Sequence, residues 1–141
     1  MGTRSNTVVY DEYFNDGSSV QILNLYRQHD GYTDGHGAEL LAFLEPMTIV
    51  NGFTMGATNI ANGAGCLAAQ MVAHFKVRVG GIYIEPPMVE GLYENDYTYT
   101  IKVGMGGLIM GGVIEITVHE YSDRIFEEGS IESFKQFIEG M

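Results

Sequence analysis

At 141 residues, with 45% hydrophobic and 18% charged side chains, the chain is long and apolar enough to bury one ordinary core. Seven Lys+Arg against 18 Asp+Glu leave a formal net charge of −11 with both halves acidic, which argues against docking on a nucleic-acid backbone or an anionic membrane surface. A single cysteine excludes an internal disulfide and a multi-cysteine zinc site, the longest apolar run is far short of the ~20 residues of a membrane span, and no signal-peptide core is seen, so a soluble, cytosolic chain is expected.

Residues 7–10 and 20–26 read as strands, joined by a polar stretch with a turn signal at Asn15-Asp16-Gly17. The glycine-rich, aromatic stretch 26–37 reads as loop. Residues 38–45 have helical spacing, with Asp34 as the expected N-cap and Pro46 closing the helix. A second helix is expected over about 60–76, with Ile60, Ala64, Leu67, Met71 and Phe75 on one stripe. Its other face, with Ala61, Gly65, Ala68, Ala69 and Ala73, is small and is expected to pack closely against a neighbouring element.

Residues 82–84 form a short strand stopped by Pro86-Pro87. Strict alternation marks strands over 97–103 and 113–121, with Tyr97, Tyr99, Ile101, Val103 and Ile114, Ile116, Val118 on the apolar sides. The glycine-rich run 104–112 joins them as a long hairpin. Residues 130–138 form an amphipathic helix with Ile131, Phe134, Phe137 and Ile138 inward. The order ββ-α-α-βββ-α predicts one α+β domain over 1–141, an antiparallel sheet with helices packed on one face.

Three segments carry chemistry-bearing residues. In 26–37, Arg27, His29, Asp30, Asp34 and His36 crowd a loop between a strand and a helix, where a guanidinium suits a carboxylate or phosphate. The helix start that follows adds backbone N–H donors. The competing reading is turn chemistry, with Arg27 paired to Asp30 or Asp34. A metal site from His29, Asp30, Asp34 and His36 lacks any standard ligand spacing, and none is assigned.

In 59–70, Asn59 and Asn62 are candidate caps and ligand contacts. The glycines there fit neither a P-loop nor a dinucleotide fingerprint, so no nucleotide cofactor is implied. Cys66 near a helix start, with His74 and His119 downstream, admits a Cys/His hydrolase. Burial of Cys66 within the helix is the plainer expectation. In 104–112, Leu108, Ile109 and Met110 sit between glycines and need a cover, for which a homo-oligomer contact is the expectation.

Met1-Gly-Thr-Arg-Ser5, Tyr26-Arg-Gln-His-Asp-Gly-Tyr32 with Gly35-His-Gly37, and Ala61-Asn-Gly-Ala-Gly-Cys-Leu-Ala-Ala-Gln70 with Ala73-His-Phe-Lys76 resemble a family of short proteins encoded by tailed bacteriophages, many of them marine, and in some bacterial genomes. The resemblance covers about residues 1–85 and implies origin rather than an activity. Its pattern points to Arg4, Arg27, Asp30, Gly31, Gly35, His36, Gly37, Asn62, Gly63 and Cys66; His29 stands where a bulky apolar residue is expected.

Phage origin implies action in the host cytoplasm, on host machinery or host immunity. The leading expectation is a non-enzymatic accessory protein that binds a small polar ligand through Arg4, Arg27, Asp30, Asp34, His36 and Asn62. A nucleotide-derived immune signal, sequestered by an oligomer, is its most concrete form. The alternatives are the Cys66 hydrolase and a ligand-free protein that contacts a host partner.

Overall fold

Side-chain alternation decides the architecture. The computed structural model describes residues 2–12, 18–50, 59–89, 91–105 and 112–140. The chain runs β1 (Ser5–Glu12), β2 (Ser19–Arg27), a π-helical turn (Thr33–Gly37), α1 (Ala38–Leu44), β3 (Thr48–Val50), β4 (Ile60–Asn62), α2 (Gly63–Phe75), β5 (Ile82–Ile84), β6 (Tyr97–Met105), β7 (Gly112–Glu120), β8 (Asp123–Gly129) and α3 (Ile131–Glu139). Six strands form one sheet in the order β5-β2-β1-β6-β7-β8, and β3 and β4 pair separately. The fold is α+β: α2 packs on β1, β2 and β6, α3 on β7 and β8, and α1 on α3, with its leucines in the same core.

Every pairing in the large sheet is antiparallel except β1 with β6. That parallel pair needs a long crossover, and the intervening chain supplies it with α1 and α2. The alternating residues Tyr99, Ile101, Val103, Ile114, Ile116 and Val118 enter the core with Val9, Leu23 and Leu25. Leu40, Leu44, Leu67, Met71, Phe134 and Ile138 cover them from the helices. Each such aliphatic side chain removed from water contributes roughly 1.5–3 kcal/mol.

The opposite face of the sheet is also covered. Asn6, Asn24, Thr98, Thr117 and His119 are buried there, and residues 85–89 and 91–95 lie across it. Asn24 Nδ2 donates to the Pro86 carbonyl at 2.8 Å, and Gln21 exchanges hydrogen bonds with the backbone of Met88 at 2.9 and 2.6 Å. Asn6 joins Asn24 and Asn95 in the same network. The Pro-Pro pair therefore starts a strap held by side-chain amides.

Several expectations are corrected. The second helix begins at Gly63, because residues 60–62 pair with β3 as β4. Gly65, Ala69 and Ala73 on its small face are exposed, since the apolar stripe takes the sheet side. Asp34 caps nothing: the π-helical turn runs straight into α1, whose N-cap is Gly37. The strand β8 was not anticipated, and it pairs with β7 after a tight turn in which Tyr121 adopts φ 52°. The hairpin of β6 and β7 is present, and its tip, with Leu108, Ile109 and Met110, lies outside the described residues, as does Asn15-Asp16-Gly17.

Candidate functional site

The site begins where β2 ends. Arg27, its last residue, turns its guanidinium toward the following loop and fixes three partners. Nε donates to the His29 carbonyl at 2.7 Å, Nη1 to His36 Nδ1 at 3.0 Å, and Nη2 to Glu39 Oε2 at 3.0 Å. The loop folds back because Asp30 takes a left-handed φ of 61°, which lets its carbonyl accept from the His36 amide at 2.8 Å. Gly31 then lies against β1, donating to the Thr3 carbonyl at 2.9 Å and accepting from Tyr99 Oη at 2.7 Å.

His36 is fully buried beside Phe75 and Tyr99, with ring centroids 5.1 and 5.3 Å away. Burial, reinforced by the Arg27 charge, pushes its pKa from 6.5 down to about 3, so the ring is neutral. Its Nε2 stands 2.7 Å from Thr7 Oγ1. This residue is a structural post between β1 and Arg27 rather than a group exposed to ligand.

A second loop faces this one. After α2, residues 76–81 curl around the Lys76 ammonium, which donates to the carbonyls of Gly80 at 3.0 Å and Ile82 at 2.7 Å and sits 5.4 Å from the Tyr83 ring centroid. Gly80 and Gly81 both have positive φ, 76° and 77°, a conformation that glycine adopts without steric penalty. The Gln28 amide donates to the Gly81 carbonyl at 2.8 Å, and β2 pairs with β5, so the two loops are tied edge to edge.

Between them lies a cavity of about 230 Å³, lined among others by Arg27, Asp30, Glu39, Lys76 and Arg78. Three of the seven Lys+Arg of an acidic chain meet there. Arg78 is exposed and makes no hydrogen bond or ion pair with any described residue. Arg27 keeps N–H donors beyond the three already engaged.

Of the residues singled out from sequence, Arg27 and Asp30 line this cavity, and His36 supports it from behind. Arg4, Asp34 and Asn62 do not line it. Arg4 is exposed; the Tyr121 hydroxyl and then the Arg4 backbone amide, which donates to Asp96 Oδ2 at 3.0 Å, hold the Asp96 carboxyl below its usual range. Asp34 is exposed on the π-helical turn, and Asn62 is exposed at the N-cap of α2 without a side-chain cap bond. Lys76, Arg78 and the glycine pair were missed, although Lys-x-Arg followed by Gly-Gly after a helix was a visible signal.

Cys66 donates to Gln70 Oε1 at 3.4 Å and is half-buried in α2. His74 packs on Phe43 and Phe75, with centroids 5.0 and 4.8 Å away, and His119 lies on the other face of the sheet. Among the described residues no histidine bonds the sulfur, so the contact that would activate a thiol nucleophile is not formed. No cluster of three or more metal-ligating side chains occurs among the described residues, and no described helix is long and apolar enough to cross a membrane.

No family model, no curated protein and no solved structure matches this chain. The site's own chemistry therefore carries the functional reading.

Proposed function

We propose that this protein binds a small anionic ligand, without turning it over, in the cleft between the β2 loop and residues 76–81. The observation that supports this is the meeting of Arg27, Lys76 and Arg78 at one cavity in a chain of net charge −11. Asp30 and Glu39 line the cleft as well, and Glu39 pairs with Arg27, so cations outnumber carboxylates there by three to two; that local excess in an otherwise acidic chain favours an anion in the cleft. Arg27 is held rigidly, so little side-chain entropy is lost when it engages a phosphate or carboxylate.

The cavity, about 230 Å³, is below the ~300–1,000 Å³ usual for drug-sized ligands. It suits a phosphate-bearing end, with the remainder of the ligand lying along Val77 and Val79, which are 79% and 97% exposed. A nucleotide-derived signal has this chemistry, and sequestration of such a signal is the most concrete form of this reading. A second reading, contact with a host protein or another copy of the chain, is favoured by the exposed Val77, Val79, Tyr83 and Ile84 beside β5, the sheet's edge strand.

Amide-resolved NMR titration with inorganic pyrophosphate tests the site. The expected shifts fall on residues 27–31 and 76–82 and shrink as salt rises. Shifts confined elsewhere, or none, would remove the cleft from consideration.

A further inference from the structure

The face of the sheet away from the helices holds a second cavity of about 220 Å³, walled by Tyr93 and Met88 of the strap and floored by Thr100, Thr117 and His119, with Arg124 at its side. Its residues come from β1, β2, β6, β7, β8 and the strap, and none is shared with the cleft at Arg27. His119 is 6% exposed and stacks on Tyr93, with ring centroids 4.1 Å apart and planes 18° apart. Its Nδ1 is buried with no hydrogen-bond partner, and so is Oγ1 of Thr98, the residue opposite it on β6. Folded proteins pair nearly all such atoms, and two adjacent orphans mark a place where a polar group belongs.

The charges around the cavity favour an anion there. Arg124 faces His119 across the β7–β8 pairing and has no hydrogen bond or ion pair with any described residue. Lys102 lies opposite Glu115 in the register, and Glu12 is the one carboxylate lining the cavity against Lys102 and Arg124, so the local excess of charge is positive. Burial, with the Arg124 charge added, lowers the His119 pKa and so favours a neutral imidazole beside the guanidinium. Thr100 and Thr117 add hydroxyls that donate or accept.

We propose that this cavity is a second binding site, for a small oxyanion of the phosphate or carboxylate class, with Arg124 pairing the charge and His119, Thr117 and Thr100 providing hydrogen bonds. Tyr93 closes the site over His119 and excludes water from that contact. The site is independent of the cleft at Arg27, and either stands if the other fails.

The test is NMR titration of the full chain with inorganic phosphate and, separately, succinate, to about 10 mM, where a millimolar site would be filled. The expected result is saturable shifts at His119, Thr117, Arg124 and Tyr93 from at least one probe, weakened at least tenfold in Arg124→Gln. Phosphate alone or succinate alone would name the class. Arg124 is exposed, so that variant keeps the fold; His119→Gln, with its spectrum checked for folding, should abolish the same shifts. Unsaturated or absent shifts with both probes, or equal affinity in Arg124→Gln, would overturn the proposal.

Discussion

Arg27 fixes the tautomer of His36. A guanidinium can only donate, so the 3.0 Å contact from Nη1 makes His36 Nδ1 an acceptor and leaves the proton on Nε2, which donates to Thr7 Oγ1 at 2.7 Å. The ring thereby links β1 to the arginine that lines the cleft, and it does so only while neutral.

That neutrality makes stability depend on pH. The folded-state pKa of His36, about 3, lies below its ordinary 6.5, so the unfolded chain takes up a proton that the folded chain refuses. The contribution is whole above about pH 6.5 and is lost as pH falls toward 3, at up to ~1.4 kcal/mol per pH unit. His119 is shifted in the same direction and adds to the trend. Urea unfolding at pH 7 and pH 5 should show the loss, and His36→Gln should flatten it; parallel pH dependences in the two proteins would contradict the assignment.

Two glycines should respond with opposite signs. A Cβ on Gly31 would lie 2.7 Å from Ser5 Cβ and 2.9 Å from the Arg4 carbonyl carbon, against backbone that cannot give way. Gly31→Ala should cost about 1–3 kcal/mol or more, read from the thermal or urea midpoint. A Cβ on Gly65, in α2, meets nothing within 4 Å, so Gly65→Ala should stabilise by about 0.5–1 kcal/mol.

Much of the fold was legible because it follows from period alone. The alternation of Tyr99, Ile101, Val103 and Ile114, Ile116, Val118 faces the core as expected, and so does the stripe Ala64, Leu67, Met71, Phe75. Strand β8 escaped because Asp123, Arg124, Glu127 and Glu128 mask its short apolar centre at Ile125 and Phe126. The covered polar face escaped too, since Asn6, Asn24 and His119 are polar residues buried by a strap distant in sequence.

The site was half legible. Arg27 and Asp30 announced themselves in one loop, but His36 is buried by Phe75 and Tyr99, which no local pattern connects to it. Lys76 and Arg78 reach the cleft through the β2–β5 pairing and the Gln28–Gly81 bond. Such convergence is tertiary and leaves no trace in spacing.

Cys66 separates binding from turnover. With Gln70 as its hydrogen-bond partner, Cys66→Ser should leave both ligand retention and ligand integrity unchanged. Loss of a ligand-consuming activity in that variant, measured by chromatography of the incubated ligand, would restore the hydrolase reading.

The three cations of the cleft should separate into two kinds. Arg78 has no hydrogen-bond or ion-pair partner among the described residues, so Arg78→Gln should weaken an anionic ligand about tenfold with no change in the unfolding midpoint, the loss expected for one charge-assisted hydrogen bond. Arg27→Gln removes bonds to His36, Glu39 and His29 as well, and should lower both affinity and stability. Calorimetric titration beside urea unfolding reads the two effects; a destabilised Arg78→Gln protein would contradict this division of roles.

The most direct measurement is retention of a panel of cyclic nucleotides and ADP-ribose derivatives by the purified protein. Free ligand is quantified after filtration and again after heat denaturation. At least one phosphate-bearing ligand is predicted to disappear from the filtrate, to return chemically intact on denaturation, and to be held about tenfold more weakly by Arg78→Gln. A panel that stays wholly free, or a retained ligand that returns altered, would contradict binding without turnover at this cleft.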